Sequence, residues 1–385
     1  MIKQQSLVFY FIQVRRLKGV ETSYVTRLLG NTIGGEERSS SETAMATQLG
    51  FLPTYRRRFM SPSQSPKAWR SSPAAKLVIK SQSQSSQVQN LSVKKRRPEN
   101  VDGEFFVDHT CIDCDTCRWM APEIFSRVGD MSAVSKQPSC QDERLKALQA
   151  LLSCPTSSIS TEKPAHDIVE VQKTFPIPID MDRIPGVYHC GYHSDKSYGA
   201  ASYLLVHPEG NILIDSPRYT ERLASNIDAL GGARYMFLTH RDDVADHEKW
   251  SKRFDCERVL HSTEVNVSTS NVEIKLNGCG PWSFSNDIQL IHTPGHTEGS
   301  VCLFYKPLKV LFTGDHLAMG ESKLAISEKY NFYSVPIQLD SVAMLLELEF
   351  ESILPGHGRR VVFKDVEEKN ASLKAFLTAK QHSHV

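Results

Sequence analysis

The chain has 385 residues, 40% apolar and 23% charged, the composition of a soluble globular protein of about two domains. Its 45 Lys+Arg against 44 Asp+Glu exclude a wholly basic nucleic-acid binder, and no apolar run approaches the ~20 residues of a bilayer span. The balance hides a split: residues 1–98 hold 17 Lys+Arg and 4 Asp+Glu, the other 287 hold 28 and 40, so charges of +13 and −12 cancel.

Between Met45 and Pro98 there is no acidic residue, and Arg56, Arg57, Arg58, Lys67, Arg70 and the run Lys94 to Arg97 sit among Ser and Gln. Such a composition cannot bury a core, so residues 1–98 read as a disordered targeting segment. From Met45 the string MATQLGFLPTYRRRFMSPSQSPKAW resembles an organellar transit peptide. It is closer to the chloroplast than the mitochondrial type, because Ser, Pro and Gln interrupt any amphipathic helix. Met45 is the expected physiological start, since Glu21, Glu36, Glu37 and Glu42 suit such a peptide poorly. A basic arm for RNA or a membrane surface is the alternative.

Residues 101–160 contain Cys111-Ile-Asp-Cys114-Asp-Thr-Cys117 and, further on, Cys154 followed by Pro155. Three thiolates at this spacing wrap one face of a cubic cluster and a remote Cys-Pro closes the fourth corner. Cys111, Cys114, Cys117 and Cys154 are thus the expected ligands of one [4Fe-4S] cluster. Zinc is the rival, but it usually takes two separated C-x2-C pairs, and disulfides do not suit thiols so tightly spaced. A strand is expected over Glu104–Val107, a Pro-initiated helical turn over Ala121–Phe125, and an amphipathic helix over Gln141–Leu152 that delivers Cys154. FVDHTCIDCDTCRWMAPEIF and CPTSSI resemble the cluster loop and Cys-Pro turn of single-cluster bacterial-type ferredoxins. Residues 161–184, with Pro164, Pro176 and Pro178, read as a linker or an edge-strand connection. Cys140, Cys190, Cys256, Cys279 and Cys302 read as structural thiols.

Residues 185–385 read as strands interleaved with helices. Ser202–Val206 and Asn211–Asp215 form a hairpin, Glu221–Leu230 a helix, and Tyr235–Thr239 a strand ending at His240. A final helix is expected over about Asp365–Ala379. Three further strands run into tight Gly turns at Thr-Pro-Gly-His296, Thr-Gly-Asp315-His316 and Pro-Gly-His357-Gly. One device used repeatedly suggests that the turns converge, and imidazoles with carboxylates suit Zn, Fe or Mn better than Ca or Mg.

THRDDVADH, HTPGHTEGS, FTGDH and PGHG together resemble the successive motifs of the metallo-β-lactamase superfamily. The resemblance implies an αβ/βα sandwich, giving an α+β chain in which the sandwich follows a small ferredoxin-like domain. It also implies a binuclear site. His240, the group two positions later and His296 would hold one metal; Asp246, His247 and His357 would hold the other, with Asp315 bridging. By the same resemblance Asp246 would take the catalytic role and a metal-bound hydroxide would be the nucleophile. The sequence departs from the H-x-H-x-D-H pattern: Asp242 stands in place of the second His, with Asp243 as the alternative, and two extra residues precede Asp246-His247. A further alternative is that neither carboxylate binds and a single Zn or Fe is retained, one site being lost. An added carboxylate tilts preference from zinc toward iron or manganese. His189, His193, His261, His292 and His316 lie off the ligand pattern, His193 in a loop that the family places beside the substrate cleft.

The leading expectation is hydrolysis of an ester, thioester or lactone in a small-molecule substrate, with the iron–sulfur domain transferring electrons or sensing redox state. The alternative is a di-iron oxidoreductase fed by that domain or an electron-transfer partner. A third reading is a binding or sensing module that has lost activity. Neither nucleic acid nor a membrane span is expected, and the expected location is the chloroplast.

Overall fold

The computed structural model describes residues 95–382. The expected targeting segment, with its start at Met45, lies outside the described residues as far as residue 94. Its last residues belong to the folded part instead. Arg96 bridges Asp108 across their backbones, and Arg97 is buried with its guanidinium on the Ser132 and Val128 carbonyls. The long basic side chain thereby ties the start of the folded part to both strands of one hairpin.

The cysteine-bearing part is built on a strand pair, Phe105–Val107 against Ile159–Thr161, and a hairpin of Phe125–Val128 with Met131–Val134. The helix Gln141–Ser153 runs as expected and Cys154 caps its C-terminus. The expected helical turn over Ala121–Phe125 is not helical. The helix comes earlier, at Thr116–Met120, and Phe125 is already paired to Val134. Residues 161–184 take the edge-strand option: Ile177–Pro178 joins a large sheet beside Val187–His189 after a short helix, Ile168–Gln172.

That sheet has seven strands, in the order 274–276, 257–261, 235–237, 212–214, 203–205, 187–189 and 177–178. The expected hairpin is present, with Tyr203 opposite Ile214, and the strands from 212 onward pair in parallel. A second sheet orders 282–283, 288–292, 301–305, 310–314, 352–355 and 361–362. Leu205, Ile212, Phe237, Val259, Leu303, Phe312 and Leu354 interlock between the two sheets. Alternation along each strand then turns the opposite side chains outward, where helices must cover them. Glu221–Ala229 and His247–Phe254 cover the first sheet. Val335–Met344 and Val366–His382 cover the second. The result is an αβ/βα sandwich. Val335–Met344, capped by Ser334 and opened by Pro336, has no counterpart in the sequence expectations.

The core behind the first sheet is continuous with that of the cysteine-bearing part. Phe105, Cys117, Leu148 and Cys154 belong to the same buried cluster as Cys190, Leu204 and Trp250, with Phe175 and Tyr192 among its members. Among the described residues no helix is long and apolar enough to cross a membrane.

Candidate metal centres

Cys111, Cys114, Cys117 and Cys154 line one cavity with Val107, Ile112 and Ile159. All four are free thiols. The loop carrying the first three turns back on itself because Asp113 and Asp115 adopt left-handed backbone angles, φ +57° and +65°. Arg118 fastens it through both carboxylates, and Arg127 reaches Asp113. Burial raises the Cys114 thiol to about 11 and raises Cys117 as well, with neighbouring cysteines adding to both shifts. Thiols crowded this way are stable as thiolates only around cationic metal. Backbone N–H groups already point at the sulfurs, from Ser132 to Cys111 at 3.4 Å and from Ser158 to Cys154 at 3.2 Å. The donor set and its apolar lining fit a [4Fe-4S] cluster, whose potential such hydrogen bonds tune.

The second centre lies at the ends of strands from both sheets. The Asp315 carboxylate sits among three imidazoles: His357 Nδ1 at 2.7 Å, His296 Nε2 at 3.6 Å and His240 Nε2 at 3.8 Å. Asp242 Oδ2 is 3.8 Å from His296 Nε2 and 3.9 Å from His240 Nε2. Ligand atoms of His240, Asp242 and His296 lie within 4.8 Å of one another, as do those of His240, Asp243 and Asp315.

His240 Nε2, His296 Nε2, His357 Nε2, Asp242 Oδ2 and both oxygens of the fully buried Asp243 have no hydrogen-bond partner. Buried polar atoms are rarely left so, and ligand atoms of His240, Asp242, Asp243 and His296 gather in the two sets above. Three carboxylates and three imidazoles in one place fit two divalent cations.

Electrostatics agree. Burial works against ionisation of Asp315, but the charge and hydrogen bonds of His357, with His240 and His296, hold its carboxyl well below the usual range. Burial likewise disfavours charge on His357, yet Asp315 and Asp243 carry it up to about 10. Burial, reinforced by Asp315, pushes Asp243 well above an ordinary carboxyl. His240 is pushed down to about 3 by burial and is neutral at physiological pH, as a ligand must be.

Asp215 is a participant that the sequence reading passes over. It accepts from Thr239 N at 2.8 Å and from Thr239 Oγ1 at 3.0 Å, and Thr239 Oγ1 lies 3.0 Å from His240 Nδ1. With its hydroxyl proton given to Asp215, Thr239 accepts from His240 Nδ1–H, so Nε2 is the atom free for a metal. The available signal was that Asp215, like Asp315, ends an apolar strand.

The structure does not bring Asp246 and His247 to this centre. Asp246 pairs with Lys196 at 2.9 Å and Lys249 at 3.2 Å and accepts from Tyr219 N, while His247 Nδ1 faces Arg258. The two residues extra to the family spacing supply the reason. They let Asp243 turn inward and leave Asp246 to precede the helix His247–Phe254. His193 is buried, 2.8 Å from His189 and 3.0 Å from Thr116 Oγ1, and so lies against the cysteine loop. His316 is buried and His261 stacks on His292.

Two stretches match family models. Residues 107–161 match the 4Fe-4S single cluster domain of Ferredoxin I, and residues 284–357 match the metallo-beta-lactamase superfamily. Similar solved structures include TTHA1623 in a di-iron-bound form, with 20% identity over 45% of this chain and 93% of that one, TM-score 0.38. The BLEG-1 B3 metallo-beta-lactamase has 20% identity over 50% and 99%, TM-score 0.40. ST1585 from Sulfolobus tokodaii, a metallo-beta-lactamase superfamily protein, has 18% identity over 48% and 85%, TM-score 0.35.

Proposed function

On a chain that joins a single-cluster 4Fe-4S ferredoxin segment to a metallo-beta-lactamase superfamily segment, we propose a metal-dependent hydrolase of an ester, thioester or lactone. The observation that carries this reading is the Asp315 carboxylate among three imidazoles, flanked by Asp242 and Asp243 and open to solvent beside Asp242 and His357. His240, Asp242 and His296 would hold one cation, Asp243 and His357 a second, with Asp315 shared. The bound cations would supply Lewis acidity toward water and the substrate carbonyl. Three carboxylates offset most of the charge of two divalent ions, and Asp215 with Thr239 keeps His240 oriented without rearrangement. A cation bound at this centre would displace the proton that Asp315 and Asp243 hold on His357. Metal loading should therefore strengthen as pH rises toward about 10. Metal-loaded protein assayed against thioester, lactone and phosphodiester panels should turn over at least one carbonyl substrate. No rate above a metal-free control would sink the reading.

A second reading, a di-iron oxidoreductase, is favoured by one observation: the loop bearing His357 also holds the cysteine loop, through Arg359 on Asp115 at 3.0 Å. A carboxylate-rich donor set suits iron. Iron analysis combined with rapid-mixing oxidation of the reduced protein separates the two readings. A reduced cluster that re-oxidises no faster when iron fills the second site would argue for hydrolysis.

A further inference from the structure

We propose that Gly199 to Ala201 and the loop Pro355 to Arg360 form a built electron path between the Cys114 corner of the cluster cradle and the His357 side of the second centre. This rests on the di-iron reading.

Gly199 touches the cradle without any side chain intervening. A Cβ there would stand 2.9 Å from Cys114 Cβ, 3.1 Å from Pro155 Cγ and 3.3 Å from Cys114 Sγ, and its φ of +89° suits glycine. Two residues on, Ala201 N donates to the Gly356 carbonyl at 2.8 Å. That stretch spans at most about 7 Å. Gly356 in turn abuts the second centre, where a Cβ would lie 2.8 Å from Asp243 Oδ2 and 2.9 Å from Asp315 Oδ1, and its neighbour is His357. The route from cysteine sulfur to imidazole thus needs one van der Waals contact, two residues of backbone, one hydrogen bond and the covalent step from the Gly356 carbonyl into His357.

The contact is fastened on both sides. His193 Nδ1 lies 2.7 Å from the Gly199 carbonyl and 3.0 Å from Thr116 Oγ1, which is itself 3.4 Å from Cys114 Sγ. Arg359 pairs with Asp115, the residue after Cys114, and the Arg360 guanidinium lies 4.5 Å over the Trp119 ring. Arg218 reaches toward the carbonyls of Leu152, Cys154 and Pro155. A flexible tether between independent domains would have no use for such fixed polar contacts.

The electron balance is simple. The reduced cluster loses one electron and returns to its oxidised form, while one iron(III) at the second centre becomes iron(II). No bond forms or breaks, and a low-potential one-electron donor, dithionite in the test, restores the cluster.

The test uses the full chain with the cluster assembled and isotopically labelled iron(III) in the second site. After reduction of the cluster and freeze-quenching, decay of its EPR signal is followed together with the Mössbauer appearance of labelled iron(II). The two should move together, and Gly199→Ala should slow them about tenfold or more. Arg359→Gln keeps the cysteine contact but frees the loop, and it should slow transfer even if Gly199→Ala fails to assemble a cluster. Variants that both transfer at the wild-type rate would overturn the path while leaving the di-iron reading in place; a wild-type cluster that keeps its EPR signal beside bound iron(III) would overturn both. A second site that refuses iron and takes only zinc would overturn the di-iron reading itself, and the path with it.

Discussion

Asp243, which the sequence offers only as the alternative to Asp242, lies beside Asp315, and Asp246, which the family resemblance implies for the second metal, does not. Asp243 has no exposed surface and two oxygens without partners, whereas Asp246 is engaged by two lysines and a backbone N–H. Asp243→Asn should lower bound metal from two equivalents to about one, and Asp246→Asn should retain both, as measured by metal analysis after dialysis. The reverse order would return the second site to Asp246 and His247. Away from the centre, Arg258 holds Glu273 at 2.6 Å, and its hydrogen bonds bring that carboxyl down from 4.5 to about 2. A depressed carboxyl adds stability above its unfolded pKa and loses it as pH falls through the folded value. Glu273→Gln should therefore cost about 1 kcal/mol or less at pH 7, because the carboxylate is over a third exposed, and the difference should vanish between about 4.5 and about 2. Urea titrations at several pH values measure it, and a gap that widens in acid would contradict the assignment.

Among elements, the strand-then-turn units are where pattern and structure coincide. His296, Asp315 and His357 each follow an apolar strand and a glycine, and the sheet edge gathers them because neighbouring strands end together. The turn at Thr-Pro-Gly-His296 shows how tightly this is set. Gly295 has φ +144°, and a Cβ there would stand 2.2 Å from Gln338 Cα, in the helix Val335–Met344. Gly295→Ala should destabilise the protein by at least about 2 kcal/mol and tilt His296, lowering both melting temperature and metal occupancy. A variant with unchanged melting would show that the helix yields. The stretch from Asp242 to His247 was not legible in the same way, since an irregular loop has no periodicity to betray which carboxylate turns inward. The segment Ala121–Phe125 misled for a related reason. Pro122 resembles a helix start but serves a turn between the helix Thr116–Met120 and a strand.

At the scale of the whole molecule, the cysteine-bearing part and the sandwich share one buried core through Phe175, Tyr192 and Leu148, and share the seam at Gly199 and Arg359. Removing iron from the cradle under anaerobic chelation should therefore lower the melting temperature of the described unit as a single transition in calorimetry. Two transitions, with the sandwich melting unchanged, would show that the shared core does not couple them. The four cysteines and the His and Asp residues after each strand could be read from the sequence, because thiol spacing, strand alternation and glycine turns are local features, and the sandwich followed from the resemblance that those motifs carry. The charge division near residue 98 was also local, yet it misassigned Arg96 and Arg97, whose charge is absorbed by carbonyls and carboxylates remote in sequence. Only the tertiary structure decided that Asp243 rather than Asp246 faces Asp315, and that His193 and Gly199 lie against the cysteine loop. Those outcomes depend on which distant chain segments pack together, and no short stretch of sequence contains that information.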